Sequence, residues 1–299
     1  MAIQKPHSNA QGLLFALMGY MLLSIGDAIV KSMTPLWPGT AIAALRYFFG
    51  AGGLGLVLLL REGRGAFAFG DHRLHWARAG AVAFSAASFF VGVHLIPLGD
   101  ATAITFIMPM LTALLSAIFL GERVTRVTWI ASAIAFAGVL TVLRPNLLDT
   151  GLAALFPIGA ALGMAGLILL NRKVAGTASV LAMQFIIALY ATPILIAMAV
   201  IGHVSGVPML QLSWPDMSVI LGCAIVAVSA SIAHAFIFMA TVRASAATIA
   251  PMTYAQLLVA MTISTFVFDH PPDATSIGGS LLIVGAGLYL WRGARPKAG

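Results

Sequence analysis

Residues 24–31 read SIGDAIVK, and Asp27 and Lys31 stand four apart inside the apolar run 11–33. On a helix such a pair shares one face. The two charges can pair with each other, or present both signs to a zwitterion at the rim of a wet cavity. Lys31, near a helix end, can also carry its ammonium to water along its own stem. Arg46 lies in LRYFF (45–49), well inside the next apolar run. Its planar fork suits a substrate carboxylate. It also suits a clamp between helices, through a carbonyl or an ion pair, with Asp27 among the candidate partners. His94 and His234 can relay protons near neutral pH, and each also serves as a packing residue. Thr102, Thr105 and Met108 precede Pro109, while Thr253, Tyr254 and Gln256 follow Pro251. Proline removes a backbone donor and frees a carbonyl. Such groups are tolerated in a membrane where they line a cavity or are re-bonded by neighbours. These polar side chains therefore either line a central cavity or join helices.

Other chemistry finds no matching pattern. His94 and His234 are too far apart in sequence to form a metal-ligand pair, and the single cysteine, Cys223, excludes both an internal disulfide and a CxxC pair. GAGGLG (50–55) has the dinucleotide spacing but lies inside an apolar run rather than between a strand and a helix. It reads as close helix packing by small residues, as does GAALG (159–163). There is no P-loop, HExxH or GxSxG, so no cofactor or metal is expected.

What must hold these residues is a membrane. The 299 residues are 61% hydrophobic and 8% charged, with mean hydropathy +1.02. Soluble domains carry about 25% charge, so lipid must cover this chain. Ten apolar runs are candidates for spanning helices: 11–33, 39–60, 76–97, 100–120, 127–143, 151–171, 178–201, 215–241, 245–268 and 274–291. They are continuous rather than alternating, which favours helices over a barrel. With the N-terminus in the cytoplasm, thirteen of the sixteen Lys and Arg fall inside, Lys31 and Arg144 fall outside, and Arg46 lies within span two. The net charge of +7 is thus explained by the positive-inside rule, without nucleic acid. Ten spans and two cytoplasmic termini are linked expectations. Asn171, Arg172 and Lys173 read as a cytoplasmic anchor, Glu122 with Arg123 and Arg126 as a cytoplasmic turn, and the stretch 63–78 as a link or a short interfacial helix.

The chain also repeats itself. ITFIMPMLTALLSAIFLGERVT (104–125) lies over MTYAQLLVAMTISTFVFDHPPD (252–273), so that Thr105 meets Thr253 and Phe106 meets Tyr254. GLLFALMGYML (12–22) is weakly similar to GLAALFPIGAA (151–161). Two copies of five spans, 1–146 and 147–299, must enter the membrane from opposite sides. The expected fold class is therefore an all-α polytopic membrane protein of ten helices, in two inverted five-helix repeats around a central cavity. That architecture supports alternating access.

These features, with the arginine in LRYFF and the PxxxxxxxxxxLGE pattern from Pro109 to Glu122, resemble the drug/metabolite transporter superfamily, EamA branch. The second copy departs from the pattern: Leu257 stands where the proline would recur and His270 where the glutamate would. The chain is similar to the YddG-type amino-acid exporters. The resemblance implies a secondary transporter of a bacterial-type inner membrane that exports small metabolites, amino acids including aromatic ones, with protons as a candidate coupling ion. A drug carrier, a membrane-embedded enzyme and a structural or regulatory membrane protein are the competing expectations. Tyr20, Trp37, Tyr47, Phe89 and Tyr254 are available for an aromatic pocket, with Trp37 also suited to an interface anchor. If Asp27 is the proton site, Asp27→Asn abolishes uphill export and spares downhill exchange. Proteoliposome flux with and without a pH gradient checks this, and equal loss in both assays would assign Asp27 to folding or substrate binding instead.

Overall fold

The computed structural model describes residues 6–67, 69–120, 126–143, 151–174, 177–243 and 250–293. Among these the regular elements are all helical: α1 (Pro6–Met33), α2 (Gly39–Glu62), α3 (His72–Leu95), α4 (Leu98–Thr105), α5 (Met108–Leu120), α6 (Arg126–Leu143), α7 (Leu155–Val174), α8 (Val180–Val204), α9 (Met217–Arg243), α10 (Tyr254–Phe266) and α11 (Ala274–Gly293), with short 3-10 turns between some of them. The turn at Glu122 and Arg123 lies outside the described residues, as do Lys5, Arg144, Arg295 and Lys297.

Seven stretches are long and apolar enough to cross a membrane: α1 to α3, α4 with α5, α7, α8 and α9. Three shorter apolar helices, Trp129–Val142, Tyr254–Phe266 and Ala274–Tyr289, occupy the remaining expected runs. This is a multi-pass membrane protein. Its outward surface agrees: Phe266 is 80% exposed and Leu60 75%, side chains for which lipid is the fitting solvent.

Helix ends follow local chemistry. Asp71 caps α3 by accepting from the backbone N–H groups of Arg73 and Leu74, and Ser179 caps α8 through Ala182 N–H. Asp273 caps α11, accepting from Ser276 N–H at 2.6 Å and from the Thr275 hydroxyl at 2.9 Å. These bonds hold the Asp273 carboxyl below its ordinary pKa, the Ser276 backbone bond foremost. The Asp71 cap starts α3 at His72, one turn earlier than the apolar run suggests. A 3-10 turn, Arg64–Phe67, occupies the preceding link.

The stretch expected as span four is not one helix. α4 stops at Thr105 and α5 starts at Met108, with Phe106 N–H bonding Ala103 O and Ile107 N–H bonding Ile104 O. Those are the shorter bonds of 3-10 geometry. Pro109 brings no N–H to the Thr105 carbonyl, so an α-helical bond is missing at the break. The stretch that aligns with it also opens in 3-10 geometry: the turn Ala250–Thr253 contains Pro251 and leads into α10, whereas α8 runs through Pro193 without a break.

Small residues let the helices approach. The principal packed pairs are α1 with α9, α3 with α7, α2 with α8, and α6 with α11. Gly159 and Gly163 press against α3, where a Cβ on Gly163 would come 2.8 Å from Ala81 O. GAALG thus packs as its sequence suggests. GAGGLG does so only through Gly55, which faces the Phe185 ring; Cβ atoms on Gly50, Gly52 and Gly53 would meet nothing within 4 Å. Gly138 and Gly279 meet backbone to backbone, a Cβ on Gly279 falling 2.6 Å from Gly138 O. Gly279→Val is expected to lower stability by about 1–3 kcal/mol through overpacking. Gly278→Ala, whose Cβ would meet nothing within 4 Å, is the neutral control. Thermal unfolding in detergent measures both.

Candidate functional site

Asp27 and Lys31 leave α1 on one side but take different partners. Gln256 Nε2 donates to Asp27 Oδ2 at 3.0 Å, and Ser24 Oγ donates to the Gln256 carbonyl at 3.0 Å. Two bonds therefore stitch α1 to α10 just after its 3-10 entry. Lys31 Nζ instead donates to the carbonyls of Val93 and Ile96, with 3.0 Å to the latter. It satisfies acceptors that the end of α3 leaves open, where a cation is favoured. The Asp27–Lys31 pair is thus not formed: Lys31 holds the end of α3 and Asp27 takes Gln256.

Arg46 has no such partner. Its guanidinium carbon lies 5.1 Å from the Tyr47 ring centroid and 5.6 Å from that of Phe90. The cation rests on two aromatic faces, and no acceptor among the described residues is hydrogen-bonded to it. Asp27, Tyr47, Cys223 and His234 feel its charge. Asp27 and Arg46 line one small cavity with Leu23, Gly26, Val226 and Ser229. Its volume, about 10 Å³, is that of a single water-sized sphere. Between the two opposite charges the described residues leave a gap of that size.

The aromatic component comes from the α4–α5 break and the entry to α10. Phe106 follows α4 and Tyr254 begins α10. Their rings stack with centroids 5.4 Å apart and planes 29° from parallel. The residues aligned by the sequence repeat thus face each other in space. Of the other expected lining groups, Thr102 is 1% exposed and its hydroxyl has no partner among the described residues. The Thr105 hydroxyl turns back onto Thr102 O at 2.7 Å, and Met108 is half-buried at the start of α5. His234 is exposed on α9, within electrostatic reach of Arg46. His94 sits in the last turn of α3, beside the carbonyls that Lys31 holds, and does not line the Asp27–Arg46 cavity. Trp37 donates to Ser213 O at 3.0 Å, which places it in a loop contact and not in an aromatic pocket.

Two features escaped the sequence. Arg78, counted among the cytoplasmic charges at the start of the third expected span, is 2% exposed. It donates to Asn171 Oδ1 at 2.8 Å and meets His75 Nδ1 at 3.1 Å, tying α3 to α7. A second cavity of about 240 Å³ lies between the start of α4 and the link 267–273, with Asp100, Asp269, His270 and Asp273 on its wall. None of the expected site residues reaches it.

Among the described residues the arrangement offers charge of both signs, an aromatic stack and no assembled catalytic constellation. Comparison with known proteins agrees with a carrier. Residues 10–144 match the EamA-like transporter family. The chain is similar to the S-adenosylmethionine uptake transporter of Rickettsia prowazekii, 24% identical over 93% of this chain and 92% of the relative. It is also similar to the pseudopaline exporter CntI of Pseudomonas aeruginosa, 24% identical over 94% and 96%, and to the riboflavin transporter of Brucella anthropi, 25% identical over 80% and 83%. One solved crystal structure superposes with a TM-score of 0.59 at 18% identity, over 94% of this chain and 96% of the other, and thereby shares its fold. All three of these relatives are named for transport.

Gln256→Leu leaves the Asp27 carboxylate part-buried without its donor, a loss of about 1–3 kcal/mol. The expected result is a lower unfolding temperature in detergent, partly restored in Asp27→Leu/Gln256→Leu, where both partners are gone. No restoration would mean that Gln256 acts independently of Asp27.

Proposed function

We propose that this transporter exports small zwitterionic metabolites of the amino-acid class, aromatic ones included, by alternating access. The observation that carries the reading is Arg46: a guanidinium inside the membrane, bonded to no acceptor among the described residues, lining one cavity with Asp27. Charge at mid-membrane costs at least about 2.5–3.5 kcal/mol, so an arginine left without a carboxylate contact is poised to receive one. In this reading the solute carboxylate meets Arg46, its ammonium meets Asp27, and its side chain lies against Phe106 and Tyr254. Entry requires α1 to part from α10, since the present gap holds only a water-sized sphere. Asp27 and His234 are the groups through which proton exchange would drive the cycle.

The architecture we propose is ten crossings, in two inverted copies, 1–146 and 147–299, with both termini cytoplasmic and the plasma membrane as the site. What supports it is the packing. Exchanging α1, α2, α3, α4–α5 and α6 for α7, α8, α9, α10 and α11 turns the α1–α9 contact into α7–α3, α2–α9 into α8–α3, and α1–α10 into α7–α5. The contacts α2–α8, α6–α11 and α4–α10 map onto themselves. A two-fold axis gives that pattern, five crossings per copy would lay it in the membrane plane, and the stack of Phe106 on Tyr254 joins the paired positions.

A second reading has its own support in the Rickettsia relative. S-adenosylmethionine carries the same amino-carboxylate end and an aromatic base, so it suits the same three groups. Relatives named for uptake and for export leave direction to experiment. Counterflow in proteoliposomes with an amino-acid panel plus S-adenosylmethionine decides between them. Arg46→Lys, which loses the bidentate fork, is expected to raise the KM for tryptophan roughly ten-fold, the equivalent of about 1.4 kcal/mol. It should leave tryptamine, which lacks the carboxylate, nearly unchanged. An equal change for both solutes would exclude a carboxylate contact at Arg46.

A further inference from the structure

We infer that Gly287 is a positioning residue for the aromatic wall of this site, and so sets how strongly aromatic solutes are preferred. The inference rests on the solute site proposed above. Gly287 is buried in α11. A Cβ built there would collide with the Tyr254 hydroxyl and lie 2.8 Å from Tyr254 Cζ. The missing side chain therefore makes a notch that receives the tip of the tyrosine. The other side of the ring is occupied by Phe106, stacked at 5.4 Å. Tyr254 is thus held at two points: its tip by α11, and its face by the residue at the α4–α5 break.

Tyrosine has two side-chain torsions, so a ring fixed at face and tip cannot yield locally. An added methyl group in the notch must swing the ring, and that separates it from Phe106. The cost falls on the geometry of the wall and less on the fold, because the colliding group is a side-chain end rather than backbone. The contrast with Gly138 and Gly279 is direct: there a Cβ meets carbonyl oxygens of the facing helix. Gly285, two residues away on α11, meets nothing within 4 Å and serves as control.

The test is counterflow of tryptophan and of alanine by the full-length protein in proteoliposomes. Gly287→Ala is expected to raise the KM for tryptophan roughly ten-fold, in the range that one misplaced methylene costs a pocket, while alanine changes little. Gly285→Ala leaves both unchanged. Tyr254→Leu alone removes the preference for tryptophan, and in that background Gly287→Ala adds no further change, since its effect is transmitted through the ring. Should Gly287→Ala not be recovered from membranes, Tyr254→Phe probes the notch from the other side: removal of the hydroxyl is expected to lower the tryptophan-to-alanine preference several-fold. If Tyr254→Leu leaves the preference intact, the site reading itself falls. If Tyr254→Leu removes the preference but Gly287→Ala does not alter it, or alters it equally without the tyrosine, or Tyr254→Phe is silent, the role of Gly287 is overturned and the site stands.

Discussion

A guanidinium inside a membrane calls for negative charge nearby, and among the described residues Arg46 has it only across a gap. Asp27 shares its cavity yet is bonded to Gln256, and the aromatic faces of Tyr47 and Phe90 support the cation without neutralising it. A contact ion pair would have closed the centre of the molecule for good. Separation keeps both charges available, and the neighbouring bonds keep them apart. Gln256 occupies one oxygen of Asp27, and the α3 carbonyls remove Lys31 from competition. The rest of the architecture serves to hold these opposite charges at one depth without joining them.

A broken helix and a 3-10 entry meet at one aromatic stack. Pro109 follows the α4–α5 break and Pro251 lies in the turn that opens α10, and the two deliver Phe106 and Tyr254 to one another. Around the breaks, close glycine contacts hold helices as rigid pairs, as at Gly163 on α3 and at Gly138 against Gly279. Rigid pairs sliding or rocking about a fixed centre give a membrane carrier a way to move without exposing backbone to lipid. The stitches from Ser24 and Gln256 are few, and few bonds have to be exchanged for α1 to separate from α10.

Much of this is legible in the order of the residues. Continuous apolar runs are a length signal, so the helices fall close to where the runs place them. The two prolines and the alignment of Phe106 with Tyr254 point to the broken stretches, because proline's missing N–H acts locally. The importance of Asp27, Arg46, Tyr254 and Gln256 follows from the cost of placing polarity in lipid. Partners distant along the chain are what a sequence does not display. Lys31 lies 62 residues from the Val93 carbonyl it holds, and a carbonyl acceptor has no residue identity to read. Arg78 has the look of an ordinary interfacial cation, and only the fold brings Asn171, 93 residues on, to meet it. Gly287 is one glycine among 30, and only the tyrosine tip in its notch distinguishes it. Conversely, the glycines at 50, 52 and 53 announce a close approach that no neighbouring helix makes.

A solute held between Asp27 and Arg46 is the centre of this account. Ser229 lines that cavity, and Cys223 is the chain's single cysteine, so Cys223→Ala/Ser229→Cys carries one reporter thiol at the site. Its alkylation by a small maleimide in proteoliposomes, with and without saturating amino acid, is the most direct measurement. Slower labelling at position 229 in the presence of tryptophan, with no change at a thiol placed at the exposed position 32, is the predicted result. Unchanged labelling at position 229 in a protein that still exchanges tryptophan would place the solute elsewhere and contradict the account.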